Sequence, residues 1–210
     1  MGTRTAIAIV ALCLGLGVAA SEEAIDEAGP DAEAGRVLSA PCVACHGEDG
    51  NSAIPINPSL AGQNFRYLNR QMLLMRDGGR AAPLMAGQLD RFSDEEIADM
   101  AAFYASQTAE VRAAPPEAAG LGQRIYRGGL LHKQVAACTA CHAPNGSGNA
   151  PAGFPRLSGQ HVDYVVPQLK AYREGQRTTD EEYGGMMRQT VANLTDGEIE
   201  AVAKYLVGLH

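Results

Sequence analysis

Two segments of one pattern decide the fold: Cys42-Val43-Ala44-Cys45-His46 and Cys138-Thr139-Ala140-Cys141-His142. Residues three and four apart lie on one face of a helical turn, so the two cysteines and the histidine of each segment share a side. Cys-x-x-Cys-His is typical of c-type haem attachment, in which both thiols bond one porphyrin and the histidine binds its iron. The sequence therefore predicts two covalently bound haem c groups.

Other cysteine chemistry accounts for this pattern less well. Zinc ribbons use paired Cys-x-x-Cys segments, but they do not require a histidine after each pair and rarely separate the pairs by about 90 residues. A thioredoxin-like site would need a strand–helix–strand setting, for which we find no pattern. An exported protein could oxidise each pair to a disulfide. Zinc and disulfides are the weaker alternatives.

The two segments belong to a repeat that spans most of the chain. Pro58-Ser59-Leu60-Ala61-Gly62-Gln63 corresponds to Pro155-Arg156-Leu157-Ser158-Gly159-Gln160. A repeat of this length indicates a tandem duplication. We expect an N-terminal domain at 21–108, a linker at 109–119 and a C-terminal domain at 120–210. Further matched pairs are Tyr67 and Tyr164, Gln71 and Gln168, Gly78 and Gly175, and Arg80 and Arg177.

Each half has the hydrophobic spacing of three helices and no convincing strand, so the predicted fold class is all-α. The last helix of each half begins at Ser93 or Thr195, and a glutamate three residues later completes a capping box. The other predicted helices span 31–40 and 64–76 in the first half, and about 116–128 and 162–174 in the second.

The second axial ligand of each iron is sought among the methionines and histidines. Met85 and Met187 each stand eight residues before a capping residue, whereas Met186 has no counterpart in the other half. We therefore predict His46 with Met85 for one iron and His142 with Met187 for the other, with Met186 as the alternative. The remaining mature methionines occupy core positions of predicted helices: Met72, Met75 and Met100.

A few further residues have less certain roles. A ligating histidine usually donates its second ring N–H to a carbonyl, and Pro58 and Pro155 either supply that carbonyl or only shape a loop. Arg80 and Arg177 either pair with haem propionates or lie on the surface. His161 has no histidine counterpart in the first half, which excludes a ligand role common to both halves.

The N-terminus has the features of a secretory signal peptide. Arg4 precedes an apolar run over 6–18, and small residues follow it up to Ala20, where we expect cleavage. The run is too short to span a bilayer as a mature helix, although an uncleaved anchor is the alternative. Removal of residues 1–20 takes away the charge of Arg4 and also Cys13, so four cysteines are left in the mature chain. The protein is then expected in the periplasm.

The composition limits the classes of function. With 17 Lys and Arg against 24 Asp and Glu, the chain carries a formal charge of −7, which becomes −8 when Arg4 is removed. Because phosphate binding needs a concentrated positive face, nucleic acid is an unsuitable partner. Only 5% of the residues are aromatic and none is Trp, so two small domains would have thin cores without bound porphyrins.

Three segments together resemble the di-haem cytochrome c4 family: Cys42-Val-Ala-Cys-His-Gly-Glu-Asp-Gly-Asn-Ser52, Phe154-Pro-Arg-Leu-Ser-Gly-Gln-His161 and Arg173-Glu-Gly-Gln-Arg-Thr178. The resemblance covers essentially the whole mature chain. It implies two class I cytochrome c domains related by pseudo-twofold symmetry, His/Met ligation of both irons, and a periplasmic carrier that delivers electrons to terminal oxidases.

We expect an electron carrier rather than an enzyme, because His/Met ligation leaves neither iron open to substrate. The expected partners are redox proteins such as a quinol-oxidising complex and a terminal oxidase, and peripheral membrane association is compatible with that role. The alternatives are a di-haem enzyme, either a peroxidase or a sulfur-compound dehydrogenase, and the cytochrome subunit of a dehydrogenase complex.

Overall fold

A computed structural model describes residues 29–210 together with Gly2. The predicted signal peptide and its cleavage after Ala20 lie outside these residues. The described part contains nine α-helices and five short 3-10 helices. It also has two isolated β-bridges but no β-strand. The all-α prediction is confirmed. None of the helices in residues 29–210 is long and apolar enough to cross a membrane.

The N-terminal half contains the helices that its hydrophobic spacing predicts, together with a short helix that carries the first Cys-x-x-Cys-His segment. The last helix begins after Ser93, whose side chain accepts a hydrogen bond from the backbone N–H of Glu96 in a complete capping box. The helices are α1 (Ala32–Leu38), α2 (Val43–His46), α3 (Phe65–Arg76) and α4 (Asp94–Ser106).

The C-terminal half repeats this order and adds one helix that the sequence did not predict. This extra helix, α8, begins at Met186. The preceding Gly184 and Gly185 both have positive φ angles, and such a glycine pair is typical of a loop. The capping box at Thr195 is also formed. The helices are α5 (Leu121–Gly128), α6 (Thr139–His142), α7 (Val162–Arg173), α8 (Met186–Val191) and α9 (Asp196–Val207).

The Thr195 capping box is reinforced by an ion pair. The Glu198 carboxylate accepts hydrogen bonds from Lys133 Nζ at 2.7 Å and from the Thr195 backbone, and these lower the pKa of Glu198 to about 2. A lowered carboxylate pKa stabilises the folded state at pH values above the ordinary pKa of 4.5. This contribution is lost as the pH falls from about 4.5 towards 2.

The first and last helices of each domain touch backbone to backbone at a glycine. A Cβ added to Gly35 on α1 would lie 2.0 Å from the carbonyl oxygen of Asp99 on α4. A Cβ added to Gly122 on α5 would lie 2.1 Å from the carbonyl oxygen of Ala201 on α9. No side chain fits at either crossing, so glycine allows the close approach that brings the outer helices together.

Each domain has its own apolar core, built around the last helix. The apolar positions that recur at helical spacing along this helix are all buried. In α4 they are Ile97, Met100, Ala101 and Tyr104, and in α9 they are Ile199, Val202, Ala203 and Leu206.

The segment between the two domains is hydrogen-bonded to both of them. Arg112 donates to the carbonyl oxygen of Gly159 at 2.9 Å and to that of Ser52 at 3.1 Å. The Asn51 side chain accepts from the backbone N–H of Glu110 at 2.9 Å. The connection is therefore fixed by contacts and is not a free tether.

Two glycine substitutions within the C-terminal domain test the helix crossing. We expect Gly122→Ala to lower the free energy of unfolding by about 1–3 kcal/mol, because the added methyl group overpacks the contact with α9. Gly197 lies in α9 with open space around its Cα. Gly197→Ala should therefore leave stability unchanged or raise it by up to about 1 kcal/mol. Denaturant unfolding of both variants, followed by circular dichroism, gives the two free energies of unfolding. Equal losses of stability in both variants would contradict a tight contact between α5 and α9 at Gly122.

Candidate functional site

All eight side chains that the sequence proposed as haem ligands line one cavity of about 940 Å³. The cavity receives residues from both domains, so the two candidate sites open into a shared space. Met186, the alternative axial residue, also lines it. The eight residues are Cys42, Cys45, His46 and Met85 from the first domain, and Cys138, Cys141, His142 and Met187 from the second.

The two histidines are held in the same way. The Nδ1 atom of His46 lies 2.9 Å from the carbonyl oxygen of Pro58, and that of His142 lies 3.0 Å from the carbonyl oxygen of Pro155. Because a carbonyl can only accept, Nδ1 carries the proton in both rings. Burial lowers the pKa of both histidines, so each ring is neutral near pH 7 and keeps a lone pair on Nε2. Of the two alternatives for Pro58 and Pro155, the structure shows the one in which each supplies the carbonyl.

None of the four cysteines of the motifs forms a disulfide in the structure. The disulfide alternative is therefore wrong for these residues. Across residues 29–210, no group of three or more His, Cys, Asp or Glu side chains is arranged to hold a metal ion, which gives the zinc alternative no support.

The three candidate methionines differ in their surroundings. Met85 ends a 3-10 turn, Pro83–Met85, and packs against the core of the first domain. Met187 packs against the core of the second domain, whereas Met186 is 40% exposed. Met85 and Met187 are thus packed in the same way, each against the core of its own domain. Met187 lies on α8, whereas Met85 lies in a turn.

A buried carboxylate fixes the start of α8. Asp180 is only 3% exposed and accepts from the backbone N–H of Arg188 at 2.9 Å and from its Nε at 2.8 Å. The carboxylate thus takes up a free N–H of the first turn of the helix and pairs with a guanidinium. This contact holds the segment that carries Met187, and it is an interaction that short helical spacing alone does not reveal.

Arg80 reaches from the first domain into the second. Its guanidinium donates to Gln71 Oε1 at 3.0 Å within its own domain, and across the interface to the Tyr164 hydroxyl at 2.9 Å and to Gln168 Oε1 at 3.2 Å. Its Nε is buried without a hydrogen-bond partner. All four residues line the cavity.

Arg177 makes the equivalent contacts from the second domain. It donates to Gln168 Oε1 at 2.6 Å, and across the interface to the Tyr67 hydroxyl at 3.0 Å and to Gln71 Oε1 at 2.9 Å. Arg177 is 7% exposed, so the surface alternative is wrong for this residue. The sequence showed that these tyrosines, glutamines and arginines recur in both halves, but it did not show that they meet.

The two guanidiniums form a positive cluster, in which Arg177 is buried and Arg80 is half-buried. Among the ion pairs of the described residues, neither Arg80 nor Arg177 has a carboxylate partner. Burial acts to raise the pKa of Tyr164, but the charges of the two arginines outweigh it and lower that pKa. Because buried charges are normally paired, this arrangement suits an anionic group in the cavity.

His161 lies at the domain interface and outside the cavity. Its Nε2 donates to the carbonyl oxygen of Ser52 at 2.8 Å. Asn64, its counterpart in the repeat, likewise donates from its side chain to the carbonyl oxygen of Phe154 in the other domain. Both residues therefore join the two domains.

Comparisons with known proteins agree with this geometry. A family profile described as "Cytochrome c" matches residues 121–210, and one described as "Cytochrome C oxidase, cbb3-type, subunit III" matches residues 30–103. Cytochrome c4 from Azotobacter vinelandii is 46% identical over 212 residues, which cover 97% of this chain and 99% of that protein. The chain belongs to the cytochrome c4 family.

A solved cytochrome c4 has the same architecture. The crystal structure of reduced recombinant cytochrome c4 from Pseudomonas stutzeri superposes with a TM-score of 0.84 at 46% identity, and the match covers 86% of this chain and all of that one. A more distant relative, the "Thiosulfate dehydrogenase electron acceptor" of Stutzerimonas stutzeri strain A1501, is 34% identical over 80% of this chain and 78% of its own length.

As a cytochrome c4, the chain is a di-haem electron-transfer protein with two tandem class I cytochrome c domains and two covalently bound haem c groups. The residues present fit these groups. The cysteines and the neutral histidines line the cavity, and so do Arg177 and Arg80, whose Nε is buried without a hydrogen-bond partner.

Proposed function

We propose that this protein is a periplasmic carrier that takes electrons from a quinol-oxidising complex and delivers them to a terminal oxidase. The observation that carries the proposal is the pair of matched sites, in which a neutral histidine and a packed methionine line the cavity of each domain. Export with a signal peptide cleaved after Ala20 is part of the proposal. The domain boundaries proposed are 21–108 and 120–210, with a linker at 109–119.

The proposed ligand sets follow the two halves of the repeat. In each set the two cysteine sulfurs would bond the porphyrin, and histidine Nε2 and the methionine sulfur would bind its iron. The first set is Cys42, Cys45, His46 and Met85, and the second is Cys138, Cys141, His142 and Met187.

This ligation suits electron transfer without substrate turnover. When bound, each haem supplies an iron that alternates between the ferrous and ferric states. Methionine closes the position at which oxygen or peroxide would otherwise bind, and its neutral thioether favours the ferrous state. The Pro58 and Pro155 carbonyls hold the histidines in one tautomer, so the ligands need little rearrangement between the two states.

The arginine cluster gives the carboxylates of the haems a place in the cavity. Arg80 and Arg177 each keep neutral partners in both domains, and their positive charge would balance propionates that reach the interface. A positive charge close to a haem also disfavours the ferric state. The cluster would therefore raise the reduction potential as well as hold the cofactor.

Docking of this carrier to its partners would be transient and electrostatic. With a formal charge of −7 before export, the surface favours partners with basic patches, and association should weaken as salt is added. Small interfaces are typical of such redox encounters. The same proposal allows peripheral membrane association during exchange with membrane-bound partners.

A second candidate function is the cytochrome partner of a dehydrogenase. It is favoured by the relative named as the electron acceptor of thiosulfate dehydrogenase. This role requires the same two closed haem sites and differs only in the electron donor. A di-haem peroxidase, by contrast, would need one iron with an open or easily displaced ligand.

A redox titration of the holoprotein followed by absorbance tests the carrier function. We expect two haems per chain, two methionine-to-iron charge-transfer bands in the ferric state, and slow binding of cyanide. Rapid turnover of hydrogen peroxide, or an iron without a methionine ligand, would contradict the proposal and favour the enzyme alternative.

Methionine substitutions test the axial ligands one at a time. Met187→Ala should abolish one charge-transfer band and lower the potential of that haem, because the stabilising thioether is lost. Met186→Ala is the matched control on the same helix and should leave both bands intact. The reverse pattern would show that the repeat alignment is displaced by one residue. Met85→Ala should have the same effect on the other haem.

Substitution of Arg177 tests the cationic cluster. Arg177→Leu should lower the reduction potential of at least one haem, because the positive charge that disfavours ferric iron is removed. Arg177→Lys keeps the charge and should retain most of the wild-type potential, while its hydrogen bonds to Tyr67 and Gln71 are weakened. Equal potentials in the leucine variant and the wild type would exclude the electrostatic role.

A further inference from the structure

A glutamine of the first domain binds the main chain of the second domain through both ends of its amide. Gln63 Nε2 donates to the carbonyl oxygen of Arg156 at 2.9 Å, and Gln63 Oε1 accepts from the backbone N–H of Arg156 at 2.7 Å. The side chain thus pairs with both polar backbone groups of one residue, as a neighbouring strand would. Gln63 is 7% exposed, so solvent competes little for these bonds.

The second domain returns the same contact to the first. Gln160 Oε1 accepts from the backbone N–H of Ser59 at 3.0 Å, and Gln160 Nε2 donates to the carbonyl oxygen of Ser59 at 2.9 Å. Gln63 corresponds to Gln160 in the repeat, and Ser59 corresponds to Arg156. The two contacts are therefore related by the pseudo-twofold symmetry of the molecule.

Each glutamine is itself fixed within its own domain. Gln63 donates its backbone N–H to the carbonyl oxygen of Leu60 at 3.2 Å, and its Oε1 also accepts from the backbone N–H of Asn64 at 2.9 Å. Gln160 makes the corresponding backbone contact with Leu157 at 3.3 Å. Each glutamine is therefore held at its backbone and at its amide, and it can hold the main chain of the opposite domain in one position.

The residue that each glutamine holds comes directly after a histidine-binding proline. Arg156 follows Pro155, whose carbonyl oxygen lies 3.0 Å from His142 Nδ1. The carbonyl of Pro155 and the N–H of Arg156 belong to the same planar peptide group, so a bond to that N–H also fixes the direction of the carbonyl. The Ser59 N–H and the carbonyl of Pro58, which lies 2.9 Å from His46 Nδ1, are related in the same way.

We propose that the two glutamines are positioning residues that act across the domain interface, each on the haem ligand of the opposite domain. Gln63 orients the Pro155 carbonyl for His142, and Gln160 orients the Pro58 carbonyl for His46. This inference rests on the proposed function, in which both histidines bind iron. Each haem then depends for its ligand geometry on a residue of the other domain.

The direction of the effect follows from the chemistry of the histidine ligand. A carbonyl that accepts the Nδ1 proton makes the imidazole a more basic ligand, which favours ferric iron. If the carbonyl is less well oriented, the bond weakens and the ferric state loses stabilisation. Loss of a glutamine contact should therefore raise the reduction potential of the haem in the opposite domain.

The test uses Gln63→Leu and Gln160→Leu in the full holoprotein. Leucine has a similar size but cannot pair with the main chain. A redox titration followed by NMR resolves the two haems, and the ferrous protein also reports the solvent exchange of each histidine ring N–H. We expect Gln63→Leu to raise the potential of the C-terminal haem and to speed exchange at His142. Gln160→Leu should have the same effects on the N-terminal haem and His46.

His161→Ala is the matched control, because it removes an interdomain bond to Ser52 without touching either proline segment. It should leave the difference between the two potentials unchanged. If each glutamine variant acts mainly on its own domain's haem, on both haems equally or on neither, the positioning role is wrong. Gln63→Asn keeps a polar amide but is one methylene too short to pair with both backbone groups of Arg156, and it serves as the test if the leucine variant does not fold.

The outcome for the glutamines is separable from the outcome for the proposed function. The wild-type protein must first show histidine and methionine ligation at both irons in the ferric spectrum. If it does not, the ligand assignment fails before any glutamine variant is compared. If it does, the crossed effect of the two variants decides the positioning role by itself.

Discussion

The hydrogen bond between each histidine ring and a proline carbonyl is the constraint on which the rest of the structure depends. It places the proton on Nδ1 and leaves Nε2 free on the side that faces the cavity. Burial keeps the ring neutral, which is the form that can bind iron. The segment that carries Pro58 or Pro155 must therefore be fixed, and much of the domain interface consists of contacts to those two segments.

The interface combines two kinds of interaction with different tasks. Near the proline segments, neutral glutamine amides pair with backbone groups and set positions. Arg80 and Arg177 bring positive charge to the cavity without a carboxylate of the described protein to balance it. An anionic cofactor group would balance this charge and would thereby couple cofactor binding to domain association.

Much of the fold could be predicted because its signals are local. The capping boxes at Ser93 and Thr195 and the apolar spacing of the last helices need only a few consecutive residues, and the structure confirms them. The Cys-x-x-Cys-His segments are also local, and their side chains meet in the cavity as expected. Helix α8 was missed because its first turn is held by Asp180, a buried residue that precedes a glycine pair typical of a loop.

The domain interface was not predicted, because its partners are distant in sequence. Gln63 and Arg156 are 93 residues apart, and no periodicity connects them. The recurrence of Gln63 as Gln160 and of Arg80 as Arg177 was visible in the sequence, but recurrence alone does not distinguish an interface residue from one that serves each domain separately. Only the arrangement of the two domains shows that each recurring residue contacts the opposite half.

The glutamine contacts have a consequence for the origin of the molecule. Each glutamine binds main-chain atoms, so the side chain at the contacted position is free to vary, and the two repeats indeed carry serine at 59 and arginine at 156. Equivalent residues make equivalent contacts in both directions, which is the definition of an isologous interface. A single-domain ancestor with this glutamine would already have carried both halves of the contact needed to form a symmetric homodimer. From such an ancestor, gene fusion would only have had to connect two subunits that already fitted each other.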